Sequence, residues 1–257
     1  MIFDTHAHYD DETFDQDRDV LLSSLPDKGV CGVVNAACNL DSAEKCLQLA
    51  DAYPFLWAAV GIHPIDALSA GEGYLEKLRE MASTNQKVVA IGEIGLDYYY
   101  DVPKEIQNKM FREQLHLANE LRLPVIVHDR DAHGPILDIL KEYHPQGVIH
   151  RFSGSVEMAK EALKLGLYIG IGGALTFKNS LTLAKVASYV PMDRILLETD
   201  CPYMAPVPFR GKRCDSSLIC YVAEKLAEIK GIPVEEVYRA AKSNAETLFA
   251  ISQNNGT

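Results

Sequence analysis

The sequence predicts an α/β fold, a (β/α)8 TIM barrel formed as a single domain over residues 1–257 with an additional C-terminal helix. Three observations lead there. Eight short apolar, β-rich runs recur, at residues 1–5, 30–36, 57–61, 88–92, 124–128, 147–150, 168–171 and 194–198. Between them lie stretches long enough for helices, with apolar side chains at helical spacing, as at Ile106, Met110, Leu115, Ala118 and Leu121. No linker, low-complexity tract or internal repeat divides the chain. Continuous apolar strands alternating with amphipathic helices indicate a parallel sheet covered by helices, and eight such units in 257 residues suit a closed barrel better than an open doubly wound sheet.

In such a barrel the active groups gather at the C-terminal ends of the strands, so each run is read by what it finishes with. The first passes into His6 and His8, which share a face if the strand continues. The third is followed by His63 and the fourth by Glu93; the fifth finishes in His128 and the sixth in His150. The eighth runs into Glu198 and Asp200. Taken singly, each has a plain structural role, as a hydrogen-bonded strand end, a helix N-terminal charge or a cap. Together they put five of the eight histidines at one rim, which separate structural roles do not explain. His116, His133 and His144 fall in or beside helices and are read as structural.

Beyond the eighth run, Asp215 is placed to cap a helix carrying Leu218, Ile219, Val222, Leu226 and Ile229. Gly231 and Pro233 punctuate, a further helix runs to about Phe249, and residues 251–257 are expected to fray.

The residue types at the rim point to a metal. Four imidazoles (His6, His8, His128, His150) with the carboxylates Glu93 and Asp200 suit Zn²⁺, Mn²⁺ or another borderline ion, whereas Mg²⁺ or Ca²⁺ favours oxygen alone. One ion would not use six ligands and keep a position for substrate. Two ions would, with one carboxylate bridging them.

Composition narrows the partners. With 25 basic and 36 acidic residues the net charge is −11, which disfavours a broad nucleic-acid-binding surface but leaves room for a local basic or metal-lined cleft. No apolar run approaches the roughly 20 residues that cross a bilayer, so no membrane association and a cytoplasmic location are expected. The six cysteines (31, 38, 46, 201, 214, 220) form no CxxC pair and are read as reduced thiols.

Six motifs follow one another along nearly the whole chain: Asp4-Thr5-His6-Ala7-His8, Gly61-Ile62-His63-Pro64, Gly92-Glu93-Ile94-Gly95-Leu96-Asp97-Tyr98, Pro124-Val125-Ile126-Val127-His128, His150-Arg151-Phe152-Ser153-Gly154-Ser155 and Glu198-Thr199-Asp200-Cys201-Pro202-Tyr203. With them the sequence resembles the TatD family of metal-dependent deoxyribonucleases, within the amidohydrolase-like barrel superfamily. The resemblance implies that His6, His8, Glu93 and Asp200 hold one metal, that Glu93, His128 and His150 hold the second, and that Glu93 is the bridge. The stretch Arg210-Gly211-Lys212-Arg213-Cys214-Asp215-Ser216 departs from the family pattern, lacking its Asn and Pro, which leaves open how this loop is held beside the eighth strand.

The function expected from this shell is hydrolysis of a phosphodiester, most simply in DNA with single-stranded or frayed ends, by a hydroxide activated by two divalent ions (Zn, Mn or Mg). Asp200 is the candidate to take the proton, and Glu198 to orient it. His63, Arg130, Arg151, Arg210, Lys212 and Arg213 are candidate contacts to phosphate, and Phe152, Tyr98 and Tyr203 to unpaired bases. Two alternatives keep the metals: an amide, lactone or other ester hydrolase, and a non-catalytic, metal-stabilised nucleic-acid-binding protein.

Overall fold

A computed structural model describes residues 1–251. Eight parallel strands stand side by side in the order of the sequence: β1 (Ile2–Ala7), β2 (Val30–Ala36), β3 (Leu56–Val60), β4 (Val88–Asp97), β5 (Val125–Arg130), β6 (Gly147–Ile149), β7 (Tyr168–Ile171) and β8 (Ile195–Leu197). The helices are α1 (Arg18–Ser24), α2 (Leu40–Ala52), α3 (Tyr74–Thr84), α4 (Lys104–Leu121), α5 (His133–Tyr143), α6 (Val156–Lys164), α7 (Leu181–Tyr189), α8 (Ile219–Lys230) and α9 (Val234–Leu248). The sheet closes on itself just past β8. Ala7 bridges Cys201 in parallel, the Asp200 N–H donates to the His6 carbonyl at 2.9 Å, and the His8 N–H donates to the Cys201 carbonyl at 2.8 Å. This is a (β/α)8 TIM barrel.

The inside of the barrel is apolar at the bottom and polar at the top. Phe3, Val34, Ala59, Ala90, Ile126, Val148, Tyr168 and Leu196, one from each strand, form a buried cluster that Ala245, Leu248, Phe249 and Ile251 complete from below. The additional helix α9 thus plugs the end of the barrel opposite the site. Each buried Val, Leu, Ile or Phe side chain in it contributes about 1.5–3 kcal/mol. The plug reaches Ile251, which is buried and donates its N–H to the Glu246 carbonyl at 3.0 Å, so the expected fraying does not begin there. The rest of that expectation falls on residues 252–257, outside those described.

Moving up from this cluster shows how side chains reach the site. From Ile126 to His128, from Val148 to His150, and from Leu196 through Glu198 to Asp200, each step is two residues, as strand alternation requires. From Phe3 to His6 and from Ala90 to Glu93 the step is three. Register shifts between Asp4 and Ala7 and between Ile91 and Ile94 absorb the odd residue as bulges. Two glycines let β4 lie close against β5: a Cβ on Gly92 would stand 2.7 Å from the Ile126 Cβ, and one on Gly95, at φ +150°, would collide with the His128 carbonyl oxygen.

β4 is longer than its apolar run, ending at Asp97 instead of 92, because its upper half faces a polar interior and hydrophobicity does not mark it. The α8 helix begins at Ile219, after a short 3-10 turn (Ser216–Leu218) that Asp215 caps through the Ser217 N–H at 2.9 Å. Gly231, at φ 66°, ends it. Among the described residues no helix is long and apolar enough to cross a membrane.

Candidate metal centre

The site is built around one carboxylate, Glu93, whose two oxygens face different histidines. Its Oε2 lies 3.2 Å from His6 Nε2 and 3.6 Å from His8 Nε2. These two nitrogens are 3.0 Å apart and stand 3.7 and 3.4 Å from Asp200 Oδ1. The other oxygen, Oε1, lies 2.6 Å from His128 Nδ1, 2.9 Å from His150 Nε2 and 3.6 Å from His63 Nε2. All of these residues are buried. Converging imidazole nitrogens and carboxylate oxygens, without thiolate, form a donor set that fits borderline divalent cations.

Hydrogen bonds decide which ring nitrogens are available. His8 Nδ1 donates to the Ala36 carbonyl at 2.8 Å, so its Nε2 presents a lone pair to the site. His128 Nε2 bonds to Asp97 Oδ2 at 3.0 Å, which aims Nδ1 at Glu93. His63 is wired in the opposite sense. Its Nδ1 accepts from the Ile65 N–H at 3.1 Å, so a neutral ring carries its proton on Nε2 and faces the site as a donor, not as a ligand. His6 Nδ1 and His150 Nδ1 have no hydrogen-bond partner, the latter standing 3.6 Å from Glu198 Oε1.

Electrostatics follow from this crowding. Burial opposes ionisation of Glu93, yet the imidazoles of His150, His6, His63 and His128 hold its carboxyl well below the usual range. Asp200 is likewise depressed against burial, by His8, His150, His6 and Arg151. Burial, then the neighbouring His128, drives His63 down to about 3, consistent with a neutral ring. His150 overcomes burial through Glu93 and Glu198 and rises to about 10.

A buried network beneath the site ties β1 to the end of β8. Asp4 Oδ1 accepts from the N–H groups of His6 (3.2 Å) and Thr199 (3.0 Å), and Oδ2 from the hydroxyls of Thr199 (2.6 Å) and Ser216 (2.7 Å). Ser216 also bonds to the Tyr9 hydroxyl at 2.8 Å. The divergent loop is held here: Arg213 grips Asp17 through two bonds of 2.8 and 2.6 Å, and the Cys214 N–H donates to the Pro202 carbonyl at 2.9 Å.

Above the site opens a cleft of about 420 Å³. Of the expected substrate contacts, His63, Arg130 and Arg151 line it, with Tyr203. Arg210 and Lys212 do not; they lie over the rings of Phe177 and Phe209, at 4.4 and 5.8 Å. Glu198 accepts from the backbone N–H of Arg151 and approaches His150. The group on Asp200 Oδ2 is instead the Arg151 guanidinium, at 2.9 Å. Phe152 is buried, while Tyr98 bonds to Asn108 and lies under Lys104. The sequence reading missed Asp97, although it stands four residues after Glu93 on the same strand face. It also missed Tyr99 and Tyr100, both exposed, with the Arg130 guanidinium 3.8 Å from the Tyr99 ring.

Comparison with known proteins gives a consistent result. The sequence model of a family described as TatD related DNase matches residues 3–250. A Bacillus subtilis protein, uncharacterized metal-dependent hydrolase YabD, is 41% identical over 98% of this chain and 100% of its own length. The 3′-5′ ssDNA/RNA exonuclease TatD of Cronobacter sakazakii is 34% identical over 96% and 97%. The crystal structure of the TatD homolog YjjV from Escherichia coli superposes with a TM-score of 0.92 at 34% identity, covering 98% of each chain.

Proposed function

The chain belongs to the TatD family of metal-dependent hydrolases, and from that premise we propose that it is a nuclease cleaving phosphodiester bonds in DNA with single-stranded or frayed ends. The observation that carries the reading is the division of Glu93, one oxygen toward His6 and His8 and the other toward His128 and His150. In this proposal His6, His8, Glu93 and Asp200 hold one divalent ion, and Glu93, His128 and His150 a second, drawn from Zn²⁺, Mn²⁺ or Mg²⁺. Such ions, when bound, lower the pKa of water and neutralise charge on phosphate oxygens.

The chain's own residues supply the rest. Asp200 stays ionised, is fixed by Arg151 at Oδ2, and receives the proton of the attacking water. His63 offers its Nε2–H to a phosphate oxygen, and Arg130 and Arg151 add charge to the same cleft. Glu198 supports the reaction by holding His150 and the Arg151 backbone in place. The cleft accepts an anion locally although the whole protein is acidic. Six thiols, all unpaired, suit the reducing cytoplasm.

The test is a labelled single-stranded oligonucleotide set against a panel of carboxylic esters, lactones and amides. Cleavage of the oligonucleotide that EDTA abolishes and added metal restores is expected. Turnover of the panel with the oligonucleotide left intact would overturn the nuclease reading while keeping the hydrolase.

A further inference from the structure

Beside the metal cleft lies a second cavity, of about 320 Å³, which the reaction above leaves unused. Arg151 and Met204 line both, so the two cavities are neighbours. The second is walled by Phe152, Phe177 and Leu183, with Asn179 and Thr182 at its polar edge. Ser180 fixes its outer wall, donating from Oγ to the carbonyls of Phe177 at 2.7 Å and Leu175 at 3.0 Å. Arg210 stands over the Phe177 ring at 4.4 Å, so the arginine that does not reach the metal cleft sits beside this cavity. A third cavity, on the His8 side, has the opposite character: Asp10, Asp11, Glu12 and Asp41 line it against a single lysine, Lys45. A chain of phosphates is repelled there and not at the Arg151 side.

We infer that the cavity behind Arg151 is a nucleobase site, which takes the base of the nucleotide whose phosphate lies at the metal cleft. The identity of this occupant rests on the nuclease reading. The volume is at the small end of ligand sites, which run from about 300 to 1,000 Å³, and suits one ring system. The Phe177 ring offers a face to a heteroaromatic ring, and the Asn179 amide and Thr182 hydroxyl meet its edge. A simple acyl chain uses the walls but has no use for the polar edge or for Arg210. Arg151, at the boundary, occupies the point where the base is joined to its phosphate through the sugar.

Titration calorimetry of the Zn²⁺-loaded protein with dAMP and with 2-deoxyribose 5-phosphate separates the base from the sugar phosphate. Wild type is expected to bind dAMP about tenfold more tightly. Phe177→Ala should erase that preference and Phe177→Trp keep it, with circular dichroism verifying both folds. Equal affinity of wild type for the two compounds overturns the site, as does an undiminished preference in Phe177→Ala or tighter binding of hexanoate than of dAMP. A base preference in a protein that cuts no oligonucleotide retains the site and overturns the nuclease reading. Oligonucleotide cleavage without base preference does the reverse.

Discussion

The two halves of the candidate metal centre look alike in composition and are held by different means. His6, His8 and Asp200 come from β1 and the segment after β8, the two ends of the barrel sequence, and a buried polar network centred on Asp4 joins them. Glu93, His128 and His150 come from three consecutive strands, where the β4–β5 contact at Gly92 and Gly95 and the Asp97 carboxylate set the geometry. One half depends on closure of the barrel, the other on pairing of neighbouring strands. Mutations that strike the supports should therefore have different signatures in the two halves.

The largest effect is expected where the halves meet. Glu93→Ala removes both sets of oxygen contacts, and hydrolysis should fall on the order of 10³-fold or more with metal content lost and circular dichroism unchanged. Retained activity at verified metal content would remove the shared carboxylate from the proposal. Next come the single ligands. His8→Ala should lose one ion and retain the other at the β4–β6 half, while His128→Ala should do the converse, each lowering turnover by about 100-fold. Elemental analysis reads this directly, and loss of both ions from either variant would show that the halves do not bind independently.

The supports sharpen the contrast. Asp97→Ala frees His128 to rotate and should weaken metal affinity by about 10–100-fold with little change in Tm. Asp4→Ala leaves four buried donors without their acceptor, which costs about 3 kcal/mol and lowers Tm by roughly 10 °C. Thermal unfolding of the metal-free proteins separates the two; equal Tm losses would dissolve the distinction. The smallest effect belongs to His63→Ala, expected to raise KM about 10-fold with metal content intact, His63→Gln partly restoring it. A loss of metal in that variant would make His63 a ligand.

Much of this was legible in the chain, for physical reasons. Strands buried on both faces declare themselves as apolar runs, which is why eight of them located the barrel and why His128 within β5 and the groups just beyond β6 and β8 could be counted off two by two. The upper half of β4 escaped because Glu93 and Asp97 point into a polar interior, so the run of apolar residues stops before the strand does. The bulges in β1 and β4 escaped because register is a property of two strands, not of one. Arg210 and Lys212 were placed near phosphate because they follow β8, but a loop's path depends on contacts such as Arg213 with Asp17, which spacing does not encode.

Closure of the barrel past β8 also sets an order of assembly. In a chain made from its N-terminus at about 5–20 residues per second, His6 and His8 emerge first and wait roughly 10–40 s for Asp200. The Glu93, His128 and His150 half has been synthesised while about two-fifths of the sequence is still to come. Asp4 meets Thr199 and Ser216 later still, and only then is the first pair of histidines locked. His6 and His8 thus take their final places only after residue 216 has been made, and the proposed ion site between His8 and Asp200 depends on that closure.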